Sequence, residues 1–237
     1  MLDRIYYFIT VPMVYLAFAW CLVGVAVRVA KIMKTPKHPF TLKIFPDKDH
    51  PVPSAVWGAL SMPTARRHNP TFWFFLILFH LGFGLLILGH LDMLPQINLY
   101  PADSVHMIGN GFVGVAVTVS VLYFLFRRFG APIREFSVPA DFLLLFLLFI
   151  VFMTGDIISW ANSWNPDGFV LTKADFGSYL SSLAHFTWAD PSETLQGSHY
   201  VVMVVHVLLA NLFLMILPFS KVMHAFFAMP LNAIRRG

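Results

Sequence analysis

Five long apolar runs are the feature that most constrains how this chain can fold. They lie at about 5–30, 71–91, 106–126, 140–160 and 199–220. Each is close to the roughly 20 residues that an α-helix needs to cross a bilayer. Charged residues make up only 12% of the chain, against about 25% in a typical soluble domain. The sequence therefore predicts an all-α membrane protein, a bundle of five transmembrane helices forming a single domain over residues 1–237.

The positions of the basic residues predict the orientation of the bundle. Of the 16 Lys and Arg residues, 14 follow the first, third or fifth run, and only Arg4 and Lys173 lie on the other side. Cytoplasmic connections of membrane proteins carry such an excess of basic residues. We therefore expect a multi-pass protein of the cytoplasmic (inner) membrane, with its N-terminus outside and its C-terminus in the cytoplasm. The net charge of +4 is explained by this topology, and no nucleic-acid partner is expected.

Two connections between the runs are long. The cytoplasmic loop 31–70 contains seven prolines and is predicted to be mostly irregular, because proline interrupts helices and restricts the residue before it. The external loop 161–198 is rich in aromatic residues. We expect it to lie against the membrane interface as a cap that contains one short helix.

Cysteine usage excludes several redox cofactors. Cys21 is the only cysteine of the chain. The chain therefore has no internal disulfide, no attachment motif for a c-type haem and no set of four cysteines for an iron–sulfur cluster. Electrons that reach such a cluster would have to leave this chain for a partner.

Four of the ten histidines lie within or beside the apolar runs. His80 and His90 are ten residues apart in the second run, and His206 and His224 are eighteen apart at the fifth. Ionisable residues in membrane spans are costly and usually mark function. Neutral imidazole is a good axial ligand for haem iron. The pattern predicts two b-type haems, each held between one histidine from each run.

The direction of the chain decides which histidines can pair. The second helix runs outward and the fifth runs inward, so His90 and His206 lie toward the outside while His80 and His224 lie toward the cytoplasm. Ten residues of helix span about 15 Å and eighteen span about 27 Å. Helix tilt, or a bend near Pro218, must absorb that difference.

One further histidine leaves the outer ligand open. His199 precedes His206 by seven residues and lies on nearly the same helical face. It could replace His206 as the outer ligand or line a substrate pocket. His106, at the outer start of the third helix, could face the same pocket.

The residues around these histidines resemble a known family. The stretch from Phe79 to His90, with that from Val205 to His224 and its Pro218-Phe219-Ser220-Lys221 sequence, resembles the gamma subunit of respiratory nitrate reductase. It is also similar to the membrane cytochromes b of the dissimilatory sulfite reductase-associated complex and of heterodisulfide reductase. The loop 31–70 and the ending 230–236 place it closest to those two groups. The resemblance covers nearly the whole chain.

The resemblance implies a function. It implies a quinol-oxidising subunit, with menaquinol as the expected substrate near the outer haem. Electrons would be delivered to a cytoplasmic iron–sulfur subunit of the same complex, which could include further membrane and external subunits. Reduction of the quinone, the reverse direction, is chemically allowed and stays open.

The resemblance also assigns site residues by matching positions. His90 with His206 would hold the outer haem, and His80 with His224 the inner one. The pair Arg127 and Arg128 could meet haem propionates, because guanidinium matches the geometry of a carboxylate. Polar groups must take up the protons of the quinol; the candidates are His106, His199 and Asp92.

Two other classes of protein compete with this interpretation. A haem-free membrane anchor would not need the histidines at all. A histidine-based proton transporter would need acidic residues within the spans. Asp156 is the one clear acidic residue deep in an apolar run, so the sequence gives that alternative little support.

Overall fold

The computed structural model describes residues 1–34, 51–94, 96–97, 99, 108–109, 111–164, 173–193, 195 and 200–228. In that part of the chain the elements are α1 Leu2–Thr10, α2 Pro12–Met33, α3 Pro51–Ser61, α4 Pro63–His68, α5 Pro70–Asp92, α6 Phe112–Arg127, α7 Pro139–Trp164, α8 Lys173–Ala184 and α9 Tyr200–Ile216. Short 3-10 turns occupy Ile133–Phe136, Pro191–Glu193, Leu217–Phe219 and Lys221–Met223. These residues include no β-strand, and the all-α prediction is confirmed.

Four helical segments are long and apolar enough to cross a membrane. They are Leu2–Met33, Pro70–Asp92, Pro139–Trp160 and Tyr200–Phe219. The remaining apolar helix at a predicted span, α6, is shorter, with 16 residues. These segments make the chain a multi-pass membrane protein.

The long helices pack in the order α2, α9, α7, α6 and α5, each against the next. The buried core between α6 and α7 is formed by Val117, Val121, Leu148 and Phe152. Side chains of α5, including Phe79, pack against this core. Among the described residues, α5 and α9 are not an extensively packed pair. The two helices that carry the histidines are therefore joined through α6 and α7 rather than directly.

Glycines of α5 allow close packing on one side of the helix. A Cβ atom at Gly82 would lie 2.5 Å from Cγ2 of Val117, and one at Gly89 would overlap the carbonyl oxygen of Ile108. These two glycines are thus needed for contact with α6 and with the residues before it. Gly84 differs, since a Cβ atom there would meet nothing within 4 Å.

The first span is kinked where α1 meets α2. Pro12 has no backbone N–H, so carbonyl groups of the preceding turn lose their helical partners. The Tyr179 hydroxyl donates to the carbonyl of Thr10 at 2.6 Å, and the Asn211 amide donates to the carbonyl of Ile9 at 3.0 Å. Burial raises the pKa of the Tyr179 phenol further above neutral pH, where a phenol is already protonated and can donate. The kink is stabilised by side chains of α8 and α9.

Helix α8 is attached to the C-terminal end of α5 and to the N-terminal part of α2. Its first residue, Lys173, forms an ion pair with Asp92 at 3.0 Å, and the two side chains are 5% and 1% exposed. The Tyr15 hydroxyl of α2 donates to the carbonyl of Leu183 at 3.0 Å. A Cβ atom at Gly177 would lie 2.5 Å from the Met93 carbonyl oxygen, so α8 packs closely against the backbone at the end of α5.

The prediction of a mostly irregular cytoplasmic loop is wrong for residues 51–68, which form α3 and α4. Pro51 and Pro63 each begin a helix, and proline is favoured there because its missing N–H would have no helical partner. The Trp73 indole donates to the carbonyl of Ser61 at 2.8 Å, which ties α3 to α5. The part of this loop over 35–50 lies outside the described residues.

Gly89→Ala is expected to destabilise the protein, because the added methyl group would overlap the Ile108 carbonyl oxygen. Overpacking of this kind typically costs about 1–3 kcal/mol. Gly84→Ala is the matched control, since the same helix has open space there. Thermal unfolding in detergent measures the difference. Equal melting temperatures for the two variants would contradict the packing role of Gly89.

Lys173→Met is expected to loosen α8 from the bundle, because the substitution removes the ammonium group that pairs with the buried Asp92 carboxylate. Breaking a buried ion pair from one side typically costs about 3–5 kcal/mol. The double variant with Asp92→Asn removes the remaining charge and should recover part of that loss. Limited proteolysis of α8 and thermal unfolding provide the measurement. A single variant as stable as the parent protein would show that the pair does not hold α8.

Candidate haem-binding site

The structure brings the four histidines together as two cross-helix pairs. His80 of α5 faces His224, with ring centroids 6.0 Å apart and ring planes at 79°. His90, in the last turn of α5, faces His206 of α9, with centroids 6.4 Å apart and planes at 16°. These are the two pairs that the chain direction predicts. Following that prediction, His80 with His224 is called the inner pair and His90 with His206 the outer pair.

All four imidazoles direct the same ring nitrogen toward a backbone carbonyl group. In each, Nδ1 lies within hydrogen-bonding distance of a backbone carbonyl oxygen. The contacts are His80 to Leu76 at 2.7 Å, His90 to Leu86 at 2.7 Å, His206 to Val151 at 3.1 Å and His224 to Lys221 at 2.9 Å. A carbonyl oxygen only accepts, so Nδ1 carries the proton and Nε2 keeps its lone pair. This is the tautomer that ligates a metal through Nε2.

The ring separations fit an iron atom between the members of each pair. An iron bonded on opposite sides to two imidazole nitrogens at about 2 Å holds the ring centres roughly 6 Å apart. The observed separations are 6.0 and 6.4 Å. Among the described residues, no three His, Cys, Asp or Glu side chains converge as a site for a free metal ion. A haem needs only two axial ligands, because its porphyrin supplies the other four, so the pairs are suited to haem.

Helix α7 supports the outer pair in a way that sequence analysis did not foresee. The Thr154 hydroxyl lies 3.0 Å from Nδ1 of His206, next to the Val151 carbonyl contact. A Cβ atom at Gly155 would lie 3.3 Å from Cε1 of His206, so glycine leaves room for the ring. A Thr-Gly step within an apolar run was the available signal.

The chain leaves the α-helix between His206 and His224. Helix α9 ends at Ile216, and Ser220 is extended, with φ −100° and ψ 172°, between two 3-10 turns. Eighteen residues are five full turns of a regular helix, which would place both histidines on one face, but the helix is interrupted between them. The irregular segment around Pro218 instead accommodates the unequal spacing of the histidines on the two helices.

The break at Pro218 is stabilised by α2. The Trp20 indole donates to the carbonyl of Met215 at 3.1 Å, in the last turn of α9. A Cβ atom at Gly24 would lie 2.7 Å from Cβ of Pro218, so only glycine permits this approach. The location of the inner histidine therefore depends on a helix distant in sequence.

The two candidate arginines at the end of α6 have different surroundings. The Arg127 guanidinium lies 4.2 Å from the centre of the Phe72 ring, a cation–π contact at the N-terminal end of α5. Arg128 Nη1 lies 3.1 Å from Asp141 Oδ2. Arg128 thus already has a carboxylate partner within the protein, and contact of either residue with haem propionates stays a prediction.

The candidates for the quinone pocket are only partly described. Asp92 lies two residues after His90, and its carboxylate accepts from Lys173 at 3.0 Å and from the Leu99 backbone N–H at 2.7 Å. His106 and His199 lie outside the described residues. The structure therefore defines the surroundings of Asp92 alone among the three.

The acidic residue deep in the fourth run forms an interhelical contact. Asp156 is 8% exposed, and its Oδ2 accepts from the Thr118 hydroxyl of α6 at 2.6 Å. A Cβ atom at Gly114 would overlap the other carboxylate oxygen, so that glycine makes room for the side chain. A helix–helix hydrogen bond thus accounts for Asp156, and the transporter alternative gains no further support.

Comparison with known proteins identifies a family and a curated relative of this chain. The family described as nitrate reductase gamma subunit matches residues 68–237, a range that contains both histidine pairs. A curated protein of Archaeoglobus profundus, the Hdr-like menaquinol oxidoreductase cytochrome b-like subunit, is 27% identical over 168 residues. That match covers 64% of this chain and 46% of the relative, so the chain spans about half the relative's length. Because the family match covers well over half of the chain, this protein belongs to the nitrate reductase gamma subunit family.

Proposed function

We propose that this protein is the di-haem cytochrome b membrane subunit of an anaerobic respiratory complex, exchanging electrons between menaquinol and a cytoplasmic iron–sulfur partner. The observation that carries the proposal is the geometry of the two histidine pairs, with centroids 6.0 and 6.4 Å apart. The name of the Archaeoglobus profundus relative, a menaquinol oxidoreductase subunit, supports the substrate and the oxidoreductase class. The relative is about twice as long as the matched region, so activity, substrate and partners are all part of the proposal.

The proposed topology has five membrane spans, with the N-terminus outside and the C-terminus in the cytoplasm of the cell, across its inner membrane. The 16 residues of α6 are about 24 Å long, shorter than the roughly 30 Å hydrocarbon core. However, α6 packs between α5 and α7, which are both long enough to cross. The distribution of 14 of the 16 basic residues supports the orientation.

The chain's own residues bind and orient the proposed cofactors. Two haems between the pairs would supply reversible one-electron transfer at two depths of the membrane. Each Nδ1–H bond to a carbonyl oxygen fixes one imidazole ring and raises the basicity of its Nε2. Phe79 and Phe83 of α5 pack edge-to-face against Phe152 of α7, so the contact between these two helices is apolar. Arg127 and Arg128, at the cytoplasmic end of α6, are the proposed partners of haem propionates.

The proposed quinol pocket lies at the outer end of α5, beside His90. His106, His199 and Asp92 are the candidates that take up protons and release them outside. Asp92 already pairs with Lys173, so it would act as part of that ion pair. In this arrangement the protons leave on the outer side, while the electrons pass to the cytoplasmic partner.

The proposed partner surface is the cytoplasmic connection before α5. Arg66 and Arg67 are exposed on α4, and Trp57 on α3 is 71% exposed. A cationic surface with an exposed aromatic side chain suits a protein partner with acidic groups. A haem-free anchor is the alternative, and it gives no reason for four imidazoles with the same tautomer.

The purified protein is expected to contain two b-type haems per chain, because it has two histidine pairs of suitable geometry. A pyridine haemochrome assay with a reduced-minus-oxidised spectrum counts them. His80→Ala should lose the inner haem and His90→Ala the outer one, leaving one haem in each variant. His185→Ala is the matched control, since this histidine of the external loop bonds within its own turn, to the Ser181 carbonyl at 2.9 Å. A well-folded protein without haem would contradict the proposal and favour the haem-free membrane anchor.

Substitution of His106 or His199 by Gln is expected to slow quinol-driven haem reduction about 100-fold, the lower end of a typical general-base contribution. Reduction by dithionite should be unchanged, because it does not use the pocket. Stopped-flow absorbance of the b haems with a menaquinol analogue measures both rates. If His106, His199 and Asp92 variants all reduce haem at the parent rate, the pocket is elsewhere.

A further inference from the structure

A buried carboxylate at the cytoplasmic end of the bundle joins three elements. Asp141 lies in the first turn of α7, and its side chain is 4% exposed. Its Oδ2 accepts from Lys221 Nζ at 2.7 Å, from Arg128 Nη1 at 3.1 Å and from the Val138 backbone N–H at 3.3 Å. One oxygen atom therefore connects the end of α6, the start of α7 and the turn that follows α9.

Lys221 connects this carboxylate to the inner histidine. While its ammonium group binds Asp141, its backbone carbonyl accepts from Nδ1 of His224 at 2.9 Å. The side chain and the carbonyl of one residue thus form a continuous path of two hydrogen bonds. The path runs from Asp141 to the imidazole that faces His80.

Among the four paired histidines, His224 alone takes its Nδ1 acceptor from a 3-10 turn. His80 and His90 bond to carbonyls four residues earlier in α5, and His206 bonds to Val151 of α7. Those acceptors are fixed by regular helices. The Lys221 carbonyl belongs to a short turn that follows the extended Ser220 and is capped locally by the Ser220 side chain and the His224 backbone N–H. The ion pair of Lys221 with Asp141 joins this turn to α7.

We propose that Asp141 is a positioning residue for the inner haem-binding site, acting through Lys221 on the orientation of His224. The inference rests on the proposed di-haem function and adds a residue to its inner site. Asp141 also accepts from Val138 at the start of α7, a local capping role. Asp141→Asn keeps an oxygen acceptor for that cap, while it loses the charge that holds Lys221.

The test uses the full-length protein in detergent with Asp141→Asn and Lys221→Met. Lys221 is 66% exposed, so its replacement is not expected to unfold the bundle. Inner-site haem affinity should fall about 10-fold in both variants, the low end of effects of groups that orient a metal ligand. The inner haem is identified as the electron paramagnetic resonance signal missing in His80→Ala. That signal should change, and the reduced inner haem should bind carbon monoxide, because His224 is held less firmly.

Selectivity for one haem distinguishes positioning from a general structural role. The outer haem signal should stay unchanged, and Asp141→Glu should restore the inner signal at least in part. Arg134→Met, which removes an exposed cation from the connection between α6 and α7, is the matched control and should leave both signals intact. Two unchanged signals in both test variants, or equal loss of both haems, would overturn the inference. An absence of haem from the parent protein would instead overturn the proposed function itself.

Discussion

Hydrogen bonding of the backbone within the bilayer is the constraint on which the rest of this structure depends. Lipid offers no partner for a carbonyl that a helix break releases, so the protein must supply one. The first span breaks before Pro12 and the last breaks at Pro218, and both breaks receive donors from other helices. Tyr179 and Asn211 serve the first break, and Trp20 serves the second. These bonds fix α8, α9 and α2 relative to one another.

The position of the site follows from the packing of α5 and α9, which are linked through two other helices. Helices α6 and α7 join α5 to α9, while the two histidines of α5 face His206 of α9 and His224 of the segment that follows it. Each end of this arrangement is held by a buried charge. Asp92 with Lys173 attaches α8 beside the C-terminal end of α5, and Asp141 with Lys221 and Arg128 holds the turn after α9 at the N-terminal end of α7. Both carboxylates are buried, so loss of their cationic partners would leave a buried charge without compensation.

Sequence analysis predicted the helical class and the pairing of the four histidines. It was wrong about the connection before α5, which it predicted to be mostly irregular. Pro51 and Pro63 start helices, although the same residue type interrupts a helix when it lies in the interior. Gly82 and Gly89 allow close packing of α5, a role that comes from contacts with Val117 and Ile108 and that the residues around them in sequence do not reveal. Position within the helix decides the effect of a proline, and neighbours distant in sequence decide that of these glycines.

The sequence by itself determined where apolar helices form and which histidines can meet. Hydrophobicity and chain direction act along the chain, so they are readable without coordinates. Only the tertiary structure decided that every Nδ1 is bound to a carbonyl, that Arg128 pairs with Asp141, and that Lys221 carries the contact to His224. The Nδ1 contacts of His80, His90 and His224 are local in sequence, but each requires one side-chain rotamer, which packing selects. The contacts of His206 with Val151 and of Lys221 with Asp141 join segments far apart in the chain, so they depend on how the helices pack.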